Sequence, residues 1–192
     1  FDAIVSNPPY SVKWKGSDLA CEAIRIARQT LPNIQCVAFG MHEPTAEYPV
    51  PENTHFTLLP KSNALRDIYA QCDVWLVPSR FEGFGLPILE AMACRTPVIA
   101  TPTGAAPELV GQGGGILVEH ESPDAIADAI LRIANMDGAQ WKSMSDRACE
   151  TARSYTWEDA TDKFEAALQH ARAKTSKAIA HESAASPVRE EV

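Results

Sequence analysis

Residues 78–90 read Pro-Ser-Arg-Phe-Glu-Gly-Phe-Gly-Leu-Pro-Ile-Leu-Glu, and they hold the densest cluster of groups suited to ligand chemistry. Gly83 and Gly85 let the backbone approach a ligand closely. A helix is expected to begin near Leu86, with Pro87 in its first turn, where the missing amide hydrogen costs nothing. The amide groups at such a helix start, together with the positive end of its dipole, suit a phosphate or diphosphate. Glu82 precedes the helix and Glu90 lies just over one turn inside it, so the two carboxylates flank that anion site. A carboxylate is a poor phosphate ligand but a good acceptor for sugar hydroxyls. A diphosphate with hydroxyls on both sides describes a nucleotide sugar. The bland alternative for the same pair is a helix-end charge and a solvated face, each contributing a few tenths of a kcal/mol through the dipole.

A second loop with unusual residues spans 7–16 and carries Lys13 and Lys15. Its proline pair, Pro8-Pro9, excludes a regular element there. These two loops acquire meaning from the elements around them. Short β-rich runs alternate with amphipathic helical stretches. Strands are expected at residues 1–6, 34–39, 54–59, 73–77, 97–100 and 115–118. Leu19, Ala23, Ala27 and Leu31 recur every four residues and form one helical stripe, with Ser17 as its expected cap and Pro32 as its stop. The alternation implies a doubly wound α/β fold: a Rossmann-like parallel sheet of about six strands in the order 3-2-1-4-5-6. Its ligand crevice lies where the order reverses, between the carboxyl ends of strands 1 and 4. The 7–16 and 78–85 loops are the ones that follow those two strands.

Composition narrows the functional class. The 192 residues carry 25 acidic against 17 basic side chains, a net charge of −8, which argues against a dedicated nucleic-acid binder. No apolar run approaches the roughly 20 residues of a membrane helix. The chain opens at Phe1 without a methionine, and the expectation is a fragment of something longer. The five cysteines show no Cys-x-x-Cys spacing, so buried free thiols and a cytoplasmic setting are expected. Histidines show no ligand spacing, and no Asp-x-Asp triplet occurs, so no metal is demanded. A single domain is expected over residues 1–173. Residues 174–192 lose all apolar periodicity and read as a tail of frayed helix or disorder.

The run EGFGLPILEAMACRTPVIATPTGAAPELV resembles the C-terminal, donor-binding half of GT-B glycosyltransferases, and within them the retaining family-four enzymes with the E-x7-E signature. The likeness extends in pattern from about Lys15 to His170. It implies transfer of a hexose from a nucleotide diphosphate sugar to an acceptor hydroxyl, without a metal or other cofactor. It implies that Glu90 holds the ribose hydroxyls and that Glu82 sits beside the transferred sugar. Backbone amides of Phe84, Gly85 and Leu86, with Gly83 in the same loop, contact sugar and phosphate. Lys15 neutralises the departing diphosphate, Gly104 lines the crevice, and the edge near Leu59 and Pro60 faces the base. Such enzymes commonly carry an arginine five or six residues before the loop lysine. Here Tyr10 and Pro9 occupy those positions, which leaves Lys13 as the substitute. The resemblance also implies an acceptor-binding domain on the N-terminal side.

The opening FDAIVSNPPYSVKWKGSD resembles a different family, the motif IV region of type I restriction enzyme modification subunits. In those adenine-N6 methyltransferases Asn7-Pro8-Pro9-Tyr10 would grip a flipped adenine. Two such segments in one chain imply a junction near residue 18. The alternatives to donor binding are therefore a structural chimera without activity or a methyltransferase fragment.

Overall fold

The computed structural model describes residues 4–6, 12–46 and 49–184, with residues 4–6, 12, 13 and 176–184 described by backbone alone. In chain order the elements are β1 (Ile4–Ser6), α1 (Val12–Lys15), α2 (Ser17–Ala27), β2 (Cys36–Gly40), β3 (Thr54–Leu58), α3 (Ser62–Ala70), β4 (Val74–Val77), α4 (Leu86–Ala93), β5 (Val98–Ala100), α5 (Ala106–Val110), β6 (Gly115–Leu117), α6 (Pro123–Ala134), α7 (Gly138–Arg153) and α8 (Trp157–Ala184). The strands pair in parallel in the order β3-β2-β1-β4-β5-β6. They are short: β1, β5 and β6 have three residues each, so the pairing that positions the central loops rests on few ladder bonds.

Alternation along the strands divides the core into two faces. Cys36, Val74, Leu76 and Ile99 pack with Leu19, Ala23 and Ile24 of α2 and with Ile126, Ile130 and Ile133 of α6. Trp75, between Val74 and Leu76, points the other way, onto Tyr69 of α3 with ring centroids 4.2 Å apart. Phe39 of β2 completes that aromatic group, 5.6 Å from Trp75. In a further helical layer α4 contacts α3, α5 and α7, and Trp141 and Met144 of α7 also pack against the first cluster. The indole Nε1 of Trp141 on α7 donates to the Asp73 carbonyl at 2.9 Å, which ties that layer to the start of β4.

Several expectations change at this level. The 7–16 stretch is not wholly loop, because Val12–Lys15 closes a helical turn just after the prolines. Ser17 does not cap α2. Gly16 takes the cap position in a left-handed conformation with φ of 66°, and Ser17 Oγ is buried with no hydrogen-bond partner among the described residues. Only glycine fits at 16, since a β carbon would lie 2.0 Å from the Pro78 carbonyl oxygen. The compact α/β unit ends at Ser154, and Tyr155–Val192 forms a second unit. The expected boundary at 173 falls inside α8, which begins with Thr156 Oγ1 accepting from the Asp159 amide at 3.1 Å. The 174–184 part of the expected tail is helical, the frayed-helix alternative of that expectation. Its Ala, Lys and Glu residues lack an apolar stripe but have high intrinsic helix propensity. All five cysteines are free, but Cys21 and Cys94 are only partly buried. No helix among the described residues is long and apolar enough to cross a membrane.

Candidate functional site

The loops after β1 and β4 meet where the strand order reverses. Trp14 and Lys15 end α1, and the Arg80 amide donates to the Trp14 carbonyl at 2.7 Å, so backbone joins the two loops directly. Close packing of Gly16 on Pro78 holds the same junction from the α2 side. Arg80 then reaches across with its side chain, bonding Asp18 at 2.8 Å and Glu121 at 2.6 Å. The guanidinium beside Asp18 holds that carboxyl below the usual carboxylate range. Sequence reading did not single out Arg80, because its partners lie 62 and 41 residues away.

Within this frame Lys15 and Glu82 come together. Lys15 Nζ donates to Glu82 Oε1 at 2.7 Å and to Oε2 at 2.9 Å, and Ser79 Oγ donates to Oε1 at 2.7 Å. The Glu82 side chain is 8% exposed and that of Lys15 22%. The two residues expected to act separately, one on diphosphate and one on sugar, form a bidentate ion pair. The carboxylate is thereby satisfied in a site where an unpaired charge would be costly. Among the described residues Trp75 Nε1 is buried without a partner. Lys15, Glu82 and Trp75 are among the residues lining a cavity of about 10 Å³, a space near the size of one water.

Helix α4 starts beside Glu82. Its cap, Gly85, is left-handed with φ of 97°, and no side chain caps the free amides. Helix α2 starts in the same way, on Gly16. By contrast α6 and α7 are closed by Ser122 and Asp137 side chains. The two helices that begin at the crevice thus have no side-chain cap on their first amides, a feature they share with α3 and α5. Gly83, Phe84 and Leu86 are exposed in the same loop, and Gly85 is buried. Gly104, after β5, approaches this loop closely: a β carbon there would lie 2.6 Å from the Phe84 carbonyl oxygen and 3.0 Å from Glu82 Cβ. The Ala105 amide donates to that same Phe84 oxygen at 2.9 Å.

Glu90, the fifth residue of α4, is exposed and accepts from Tyr69 Oη at 2.6 Å through Oε2. Nothing in the local sequence singles out Tyr69, because Glu90 lies 21 residues away on another helix. At the end of β3, Leu59 is 60% exposed and holds a positive φ of 47°, an unusual conformation for a branched residue. The side chain of Lys13 and the Asn7-Pro8-Pro9-Tyr10 run lie outside the described residues. An open groove of about 760 Å³ lies elsewhere, at the amino end of β6, among Gly113, Arg132, Asp137, Gln140 and Arg147.

The family model described as Glycosyl transferases group 1 matches residues 10–154. The chain belongs to this family. An uncharacterized glycosyltransferase of Methanocaldococcus jannaschii is 30% identical over 152 residues, 77% of this chain and 42% of that protein. Among solved structures, this glycosyltransferase domain is similar to sucrose-phosphate synthase from Thermosynechococcus elongatus, with a TM-score of 0.70, 26% identity and coverage of 89% of this chain and 46% of that one. It is also similar to the C-terminal domain of a glycosyl transferase group 1 family protein from Francisella tularensis, with a TM-score of 0.66, 26% identity and coverage of 80% and 85%. The fold is therefore α/β of the GT-B glycosyltransferase type. The chain spans less than half the length of the curated relatives it matches.

Proposed function

We propose that this glycosyltransferase domain binds the nucleotide-sugar donor of a retaining hexosyltransferase. The observation that carries the reading is the Lys15–Glu82 pair, set beside the uncapped amino end of α4 at the switch point of the sheet. The space behind the pair holds no more than a water, so the donor's diphosphate sits on its outer side, over Gly85 and Gly104. Lys15 has three ammonium donors and can serve a phosphate oxygen while keeping one bond to Glu82. As the bond from sugar to diphosphate breaks, the diphosphate gains negative charge. Lys15 and the helix amides stabilise that charge without having to reorganise. Glu82 accepts hydroxyls of the transferred hexose and stabilises its oxocarbenium-like character. Glu90 holds the ribose hydroxyls, and Leu59 with Pro60 forms the edge against the base. Transfer uses no metal in this scheme, with Lys15 supplying the positive charge and Lys13 assisting.

An acceptor domain N-terminal to this one completes the enzyme; the short span of the chain against its relatives supports that organisation. The free cysteines are in keeping with a cytoplasmic setting. The opening NPPY segment is read as a foreign strand and loop joined near residue 18.

Calorimetric titration of the chain with UDP-, GDP- and ADP-sugars tests the proposal. One nucleotide class is expected to bind, weakly, and Glu90→Ala is expected to abolish that binding while the fold survives. Absence of binding to all three contradicts it.

A further inference from the structure

Tyr69 is the most constrained polar side chain near the proposed ribose site. Its residue exposure is 1%. Its ring is wedged between Trp75, with centroids 4.2 Å apart, and Phe39 at 5.8 Å, the latter nearly perpendicular at 87°. Its backbone is pinned as well, since the buried Thr96 hydroxyl donates to the Tyr69 carbonyl at 2.8 Å. From this fixed base the phenol donates to Glu90 Oε2 at 2.6 Å. Burial first, and then the hydrogen bond to Glu90, push the phenol far above its ordinary titration range, so it remains a donor at any physiological pH.

Glu90 is the opposite case. It is a long, exposed side chain on a helix surface, with several rotamers open to it. Among the described residues no other side chain or backbone group donates to its carboxylate. We infer that Tyr69 is a positioning residue for the ribose subsite: it occupies Oε2 of Glu90 and presents Oε1 to the ribose hydroxyls of a nucleoside diphosphate. The inference rests on the donor-binding reading and deepens it. The aromatic group then links the base of the sheet to recognition of ribose, through one hydrogen bond whose loss leaves the packing intact.

The consequence is selective. Removing the phenolic oxygen costs affinity only where ribose hydroxyls are present, because the diphosphate and base contacts lie elsewhere. The test is calorimetric titration of the full chain, wild type and Tyr69→Phe, with UDP, GDP and ADP and with their 2′,3′-dideoxy counterparts. Thermal melts run in parallel show that the variant is folded. Tyr69→Phe is expected to weaken binding of the preferred ribonucleotide about tenfold, the scale of one hydrogen bond to a charged group, and to leave the dideoxy form unchanged. If the wild type prefers ribose and Tyr69→Phe keeps the same preference, the positioning role is overturned and donor binding stands. Equal loss for ribo and dideoxy forms also overturns it, since that is a merely structural effect. A wild type that binds no nucleotide overturns both readings.

Discussion

A carboxylate as enclosed as Glu82 depends on its partners more than an exposed lysine does. Lys15→Ala leaves that carboxylate in a site that is 8% exposed, with Ser79 as its remaining donor among the described contacts. The expected cost is about 2–3 kcal/mol. Glu82→Gln leaves an ammonium that water can still reach, and its expected cost is below about 1 kcal/mol. Urea denaturation of the two variants checks this asymmetry, and equal losses would contradict it. The cysteines give a prediction in pH. Burial pushes the Cys72 thiol up to about 12 and the Cys21 thiol up to about 11. Above about pH 9 the unfolded chain has released protons that the folded chain retains, so stability falls as pH rises from about 9 toward those values. Stability measured at pH 8 and pH 10.5 is expected to drop, and Cys72→Ala is expected to lessen the drop. At this scale the sequence made the types of site residue legible, but not their pairing. Lys15 and Glu82 are 67 residues apart, and nothing in local spacing says which cation meets which carboxylate. Nor does local sequence mark Tyr69, because its hydroxyl partner exists only once α3 lies beside α4.

Among the elements, the strongest local signals were the ones that survived folding. Residues 74–77 form an uninterrupted apolar run, and every one of them is buried in β4. Pro87 marked the first turn of α4, where it now stands. The failures have physical causes. The helical turn of α1 is only four residues long, too short for any periodicity to register. At α2, a serine beside a glycine looked like the cap, but the chain needed a residue that tolerates left-handed φ against Pro78. That contact supports a prediction. Gly16→Ala combines a disfavoured φ with a β carbon 2.0 Å from a carbonyl oxygen. Its expected cost is about 3 kcal/mol, lowering Tm by about 10 °C. Gly83→Ala is the control, since nothing lies within 4 Å of its β carbon. Thermal melts showing the two variants equally stable would contradict the packing described at the crevice. Gly83 is thus free of any packing demand for glycine, which is consistent with a loop kept open for a ligand.

For the whole molecule, charge and topology set the problem. A chain of net charge −8 must bind an anion locally if it binds one at all, so the crevice needs a positive group and oriented amides at one point. The loops following β1 and β4 bring those together, and backbone bonds such as Arg80 to Trp14 hold them in place. The open groove by Arg132 and Arg147 is the rival location for an anion. A crystal structure of the chain soaked with the nucleoside diphosphate that binds best decides between them. Diphosphate density is expected over the start of α4, within hydrogen-bond distance of Lys15 Nζ, with a ribose at Glu90. Density at Arg132 and Arg147 instead, with the Lys15–Glu82 pair untouched, would contradict it.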